Sequence, residues 1–482
     1  MPIQAELVEE IAKEVVARLR VQMQQPQSSA APARSGAAPR DGVFATVDEA
    51  VNAAFEAQKK VAAMTLEERG RIIAIICRVC NDRREELGRM ELEETKVGRL
   101  DHKILKLTNM RFVLGVDALH TEARSNHSGL CIIEHAPWGV IGMILPATHS
   151  VPTMASNMIN VVAAGNTAVF SPHPAASKIA CHALRVFNRE ITRELGVANV
   201  FTTVSAPSIR SAEEVFHHPR IALLCVTGGP AVVRAAAKSG KRVIAAGPGN
   251  PPVVVDETAD LDNAARSIVL GAAFDNNLLC IAEKEVFVVA QVFDAFIAAM
   301  KRAGAFELNL AAIERLTAAA FRFDGEGKGC AHAHLKKELI GKDVALLAAA
   351  AGVQVPPATP LLFGQTAEDH AFVQEEQMMP FVPIVRVPDV DAAIAAALKA
   401  EHGYRHTALM HSRNIQNVTK MARAMNTTLF VHNAACVAAL GADNPSYMSY
   451  SIATPTGEGV TTPLTFTRER QIALGGGALR II

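Results

Sequence analysis

Apolar and polar positions follow two rhythms along this chain. Ile3, Leu7, Val8, Ile11, Ala12, Val15, Val16 and Leu19 recur at three- and four-residue intervals, with Glu6, Glu9, Glu10, Lys13, Glu14, Arg18 and Arg20 between them. That spacing predicts a short amphipathic helix over residues 1–21. Residues 22–40, rich in Gln, Ser and Ala with Pro26, Pro32 and Pro39, read as a flexible linker. Helical spacing returns over Val47–Lys60 and Leu66–Arg89. Continuous apolar runs then alternate with helical ones. Gly139–Pro146, Ala168–Phe170, Val200–Val204, Ile221–Val226 and Arg242–Ala245 read as strands. Thr153–Ala164, with Pro152 as its start signal, Ala175–Leu195, and a segment from Pro230 to about Lys238 read as helices. A second series follows: strand Val253–Val255, helix Asn263–Phe274, strand Val286–Val289, helix Val292–Arg302. This order predicts an α/β fold with mostly parallel sheet between helices.

Length and composition narrow the class. At 482 residues the chain is long enough for two large domains plus appendages. Lys+Arg and Asp+Glu balance at 48 each, and no basic run stands out, which argues against a nucleic-acid partner. No apolar stretch approaches the roughly 20 residues of a membrane span, and the first residues lack a signal-peptide core. Eight cysteines without scaffold spacing fit a reducing cytosol.

Several short motifs carry chemistry. Thr227-Gly228-Gly229-Pro230 closes a strand and opens a helix, so unpaired N–H groups there can meet a phosphate. An ordinary strand–turn–helix reads equally well, and no G-x-G-x-x-G is present. The turn-rich Gly247-Pro248-Gly249-Asn250-Pro251-Pro252 reads as a crossing between domains and a wall of the site. Cys280 follows the polar Asp275-Asn276-Asn277 and precedes Glu283-Lys284, an unusual setting for a buried hydrophobe. Cys77 and Cys80 form a C-x-x-C inside a helical run without a second ligand pair, so helix packing is expected. Cys330-Ala331-His332-Ala333-His334 follows three glycines and reads as loop, and His217-His218-Pro219 as a surface turn.

Taken together, the motifs resemble the aldehyde dehydrogenase superfamily over residues 41–482. The residues that carry the likeness are Ala163 to Pro174, Val226 to Gly229, Gly247 to Asn250, Cys280 with Glu283-Lys284, Glu376 to Pro380, His402 to Thr407, and Thr454 to Thr462. Within the superfamily the chain resembles the CoA-acylating branch, as found in propanediol-degrading bacterial microcompartments. The resemblance implies a Rossmann-like cofactor domain over 41–245 with an oligomerisation hairpin near 125–138. It further implies a catalytic cysteine domain over 246–440 and a C-terminal return and oligomerisation segment over 441–482.

By the same resemblance Cys280 is the nucleophile, and its own N–H is one oxyanion donor. Thr227, Gly228 and Gly229 lie where the family binds the nicotinamide end of its cofactor. Ser171, Pro172, His173 and Pro174 lie where it reads the adenine ribose. Ser171 and Pro174 replace the usual Lys and Glu, so NAD is expected with NADP open. Glu376 matches the holder of the nicotinamide ribose. His149 falls where the family offers an oxyanion asparagine. The water-activating glutamate is replaced by Ala246, with no acid between Arg242 and Val255. The expected product is therefore an acyl-CoA, with propionaldehyde, acetaldehyde and butyraldehyde all open as substrates and no metal required. A hydrolytic dehydrogenase, an acyl-phosphate reductase and a non-catalytic scaffold are the alternatives. The likeness further implies a homo-oligomer, dimer or tetramer. It also implies a place in the bacterial cytoplasm inside a microcompartment, with residues 1–21 docking on shell or core proteins. Packing of that helix on the enzyme or on its own copy is the plainer reading.

Overall fold

Thr46 and Thr65 each open a helix with a reciprocal cap. Each side chain accepts the N–H of a glutamate three residues on, Glu49 or Glu68, whose carboxylate returns to the cap backbone. The structure, a computed structural model, describes residues 40–323, 333–442 and 444–477. The expected helix over 1–21 and all but the last residue of the linker lie outside the described residues. Helix Val47–Ala63 matches its apolar spacing. The run expected over Leu66–Arg89 is instead two helices, Leu66–Asp82 and Arg84–Thr95, with a kink at Arg83. Arg83 N–H still reaches Val79 and its carbonyl still takes Leu87 N–H, so the kink leaves the apolar period unbroken.

The six strands of the first sheet are all parallel. Their spatial order is Val43–Phe44, Phe201–Val204, Thr167–Pro172, Val140–Leu145, Ile221–Thr227 and Arg242–Ala246. Chain order runs outward from Val140–Leu145 to one side, then returns to Ile221–Thr227 on the other. Beyond the carboxyl ends of those two strands lies the crevice where open parallel sheets bind ligands. Helix Ser150–Ala163 follows the central strand and is buried at every position. It starts three residues before the expected Thr153, so Pro152 sits inside its first turn. That position loses no helical bond, because first-turn N–H groups have no partner in the helix.

Gly247 to Pro251 then lead into a second parallel sheet of seven strands. Its order is Phe306–Glu307, Leu362–Gln365, Phe381–Val387, Glu285–Val289, Pro252–Val255, Thr407–His411 and Leu429–His432. Glu122–Asn126 and Gly129–Pro137 form an antiparallel hairpin, and Thr467–Leu474 adds a third strand to it. Two local expectations change. Ser208 caps a helix, Ile209–His217, that the apolar pattern missed. Ala333–Leu335, expected as loop, pairs with Phe321–Phe323 as a short strand, while Cys330 to His332 lie outside the described residues. Cys77 and Cys80 face inward from helix Leu66–Asp82 as expected. No helix among the described residues is long and apolar enough to cross a membrane.

Candidate active site

The switch-point crevice contains a cavity of about 220 Å³. Pro146, Thr148 and His149 wall it from the end of the central strand, and Thr227, Gly228 and Gly229 from its neighbour. Ala246, Gly247 and Pro248 come from the sheet-to-sheet crossing, as expected of that loop. The opposite wall comes from segments entering strands of the second sheet: Leu278 and Cys280 before Glu285–Val289, Glu376 and Met378 before Phe381–Val387. Tyr450 and Ile452 close it.

Cys280 sits half-buried at this wall. Gly249 presses against it: a Cβ there would fall 2.6 Å from the Cys280 carbonyl oxygen and 2.8 Å from the His406 ring. Only glycine permits that approach. Burial, with Glu376 beside it, pushes the thiol up to about 12, against the pull of the Lys284 ammonium. The protonated thiol is therefore the resting form. Lys284 is fully buried, and Nζ bonds the carbonyl of Asn277 at 2.8 Å and that residue's side-chain oxygen. Burial raises Glu376 to about 7, opposed by Lys284 and the Gly249 N–H.

His149 caps the buried helix Ser150–Ala163, and burial lowers its imidazole to about 3. A neutral ring carries one N–H, and Nδ1 has no protein partner. The Tyr450 ring lies 5.8 Å from it, tilted. Thr227 Oγ1 is 2.9 Å from Ser451 Oγ, while nothing lies within 4 Å of a Cβ built on Gly229. That open ground before helix Pro230–Ala237 suits a phosphate or carboxamide. With Glu376 facing the same space, these residues fit a nicotinamide nucleotide.

The structure thus brings together Cys280, His149, Thr227, Gly228, Gly229 and Glu376, all singled out in the sequence. Ser171, Pro172, His173 and Pro174 stand apart from the cavity. They lie at the carboxyl end of the strand beside Val140–Leu145, where His173 N–H bonds the Leu145 carbonyl at 3.1 Å. Tyr450 and Ile452 were not foreseen, and no local signal marks them, because they reach the cavity only through the fold; Met378 lies within the Glu376 to Pro380 motif but was not singled out. Cys225 and Cys436 are buried and do not line this cavity.

A model of the aldehyde dehydrogenase family matches residues 26–309. The acetylating acetaldehyde dehydrogenase EutE of Salmonella typhimurium is 43% identical over 436 residues, 90% of this chain and 92% of its own. The structure is similar to that of Rhodopseudomonas palustris propionaldehyde dehydrogenase with bound CoA and an acylated cysteine. The TM-score is 0.88 at 40% identity, covering 92% of this chain and 100% of that one. It is equally similar to a propionaldehyde dehydrogenase from the Clostridium phytofermentans fucose utilisation bacterial microcompartment, with TM-score 0.88, 38% identity, and the same 92% and 100% coverage. With a family match over more than half its length and a relative 43% identical over 90% of it, the chain belongs to the aldehyde dehydrogenase family.

Proposed function

We propose that this protein is a CoA-acylating aldehyde dehydrogenase that converts a short-chain aldehyde, acetaldehyde or propionaldehyde, with CoA and NAD+ to the acyl-CoA and NADH. The observation that carries the reading is Ala246 on the cavity wall with Cys280, where a water-activating carboxylate would stand. Cys280 Sγ, as thiolate, attacks the aldehyde carbon, and its proton leaves to solvent. The Cys280 N–H and the His149 ring N–H hold the resulting oxyanion. The nicotinamide cofactor, when bound, supplies the hydride acceptor; Thr227, Gly228 and Gly229 orient it, and Glu376 takes its ribose hydroxyls. Loss of hydride from the thiohemiacetal leaves a thioester on Cys280. Without a base to activate water, that thioester persists until the CoA thiol attacks its carbonyl carbon; the Cys280 sulfur leaves and takes up the proton the CoA thiol gives up.

Ser171, Pro172, His173 and Pro174 are assigned to the adenine ribose, a reading supported by their place one strand along the same carboxyl edge. NAD is preferred, with NADP open. Residues 41–245 and 246–440 are taken as the cofactor and catalytic domains. The hairpin near 125–138 and residues 441–482 are taken as the contacts of a homo-oligomer. Residues 1–21 are taken as a docking helix for a microcompartment shell or core. The apolar stripe in the sequence and the microcompartment origin of a similar protein support that reading. NADH release from propanal or acetaldehyde with and without CoA tests the activity. Equal rates without CoA would overturn it. Fusing residues 1–21 to a fluorescent reporter in microcompartment-forming cells tests the docking, and a diffuse reporter would leave the helix as an oligomer contact.

A further inference from the structure

Beneath the cavity lies a group of charged side chains that the proposed reaction does not use. Glu91, Lys103, Lys106 and Asp275 are each at most 1% exposed. Lys103 Nζ is 3.6 Å from Glu91 Oε1, and Lys106 Nζ is 2.5 Å from Asp275 Oδ2. Both lysines belong to helix Leu100–Thr108 and Glu91 to helix Arg84–Thr95. The group touches both walls of the cavity. On one side Glu91 Oε1 accepts the Ser150 N–H at 2.9 Å, and Lys103 Nζ reaches the Thr148 carbonyl at 3.5 Å. On the other, Asp275 begins the turn that leads to Cys280. Its Oδ1 accepts the Arg99 N–H at 2.8 Å, and its own N–H donates to His102 Nδ1 at 2.8 Å.

That turn is strained. Asp275, Asn276 and Asn277 have φ of 50°, 56° and 64°, three left-handed residues in succession. L-residues visit this region singly, and even Asn and Asp rarely in runs. Each is therefore held by its side chain. Asn276 bonds the Gly341 carbonyl at 3.0 Å and Asp343 at 2.9 Å. Asn277 bonds the carbonyls of Ala272 and Glu283 at 3.0 and 2.9 Å. Asp275 is held by Lys106. Buried ion pairs are weak devices for stability, since apolar residues of like volume do as well. Strain held by its surroundings belongs to functional sites.

We propose that Lys106 and Asp275 are positioning residues for Cys280. They tie the strained turn to the same pair of helices that holds Thr148 to Ser150, and so fix the gap between the thiol and the oxyanion wall. This rests on the reading of Cys280 as the acylated nucleophile. A displacement of about 1 Å in such a gap costs on the order of a hundredfold in rate.

The test is the rate of thioester formation on Cys280 of the full-length protein, with propanal and NAD+ but no CoA, counted per alkylatable Cys280. The wild-type protein must acylate; its failure would sink the assignment of Cys280 itself and not this inference. Lys106→Met leaves a buried unpaired carboxylate and should lower both Tm and rate. Lys106→Met with Asp275→Asn removes both charges. It should regain most of the Tm yet acylate at least tenfold more slowly, with KM for NAD+ unchanged. Gly98→Ala removes no charge but puts a Cβ 2.3 Å from Asp275 Oδ1. With φ at +84° that residue is also strained, so Tm should fall, but acylation per alkylatable Cys280 below the Tm should still be slowed, and that per-site rate decides the matter if the double variant does not fold. Wild-type acylation per site in either variant would reduce the pair to a fold contact.

Discussion

Replacing Ala246 with glutamate should turn part of the thioester flux toward water. Ala246 ends the strand Arg242–Ala246, is 4% exposed, and lines the cavity with Cys280. Its carbonyl accepts the Gly228 N–H at 3.1 Å, a backbone bond the substitution leaves in place. The new carboxyl stands on the wall opposite Glu376 in the same cavity; burial lifts Glu376 from 4.5 to about 7 and should raise a carboxyl at 246 in the same direction. A comparable lift costs roughly 3 kcal/mol of stability at pH above that value, so Ala246→Glu should melt lower at pH 8 than at pH 6. Only the ionised form acts as base. At pH 8 most of it is ionised, and the help expected of a general base is about a hundredfold to ten-thousandfold. CoA-independent NADH formation from propanal should therefore rise about a hundredfold, with a pH profile climbing through about 7. Steady-state NADH absorbance without CoA, with free propionate quantified, reads the effect. A folded variant with unchanged hydrolysis would refute the placement of the missing base at residue 246.

Cys280→Ala should abolish acyl-CoA formation while leaving Tm and NAD+ binding near wild type. Turnover above a few per cent would move the chemistry to another cysteine. In the cofactor-free protein, iodoacetamide should alkylate Cys280 about tenfold faster for each pH unit between 7 and 10, because the thiol is pushed up to about 12; a plateau near pH 7 would contradict a protonated resting thiol. Burial raises Glu283 to about 7, so it favours the fold fully below 4.5, and that contribution is lost as pH rises through about 7. Glu283→Gln should accordingly lose less Tm than wild type between pH 5 and 7.5, and identical slopes would refute the raised value. CoA and the nicotinamide cofactor should compete for the ground near Thr227 and Ser171 to Pro174, giving ping-pong kinetics; a ternary complex with both bound at separate sites would exclude this.

Much of the first sheet was legible because its strands are buried on both faces. Val140 to Leu145 are all buried, and such strands print as unbroken apolar runs. The kink at Arg83 was not, because hydrogen bonding and apolar period both pass through it. Helix Ile209–His217 buries only Ser211, Val215 and Phe216 and leaves Ile209 78% exposed, so its stripe is too thin to register. The site divides in the same way. Cys280, Glu376 and the Thr227 turn sit in local motifs. Tyr450 reaches the His149 ring from 301 residues further along the chain, and Lys106 meets Asp275 across 169. Pairings of that range leave no periodic trace in a single sequence.

Glu376 invites comparison with the missing base, because among the described residues it is the one carboxylate lining the cavity. Three features set it apart from a water activator. The Gly249 backbone opposes the rise that burial gives its carboxyl. Lys284 faces it and shares its charge with Cys280. It enters from the segment before Phe381–Val387, on the cysteine side of the cavity, whereas Ala246 stands beside Thr227 on the cofactor side. On the proposed reading a carboxylate there would meet the cofactor's ribose rather than a water aligned with the thioester carbon. The same cavity can therefore hold an acid near neutrality and still leave the thioester to a thiol, which needs no base as strong as water does. What distinguishes transfer from hydrolysis is then the wall on which the carboxylate stands, and Ala246→Glu alters that wall alone.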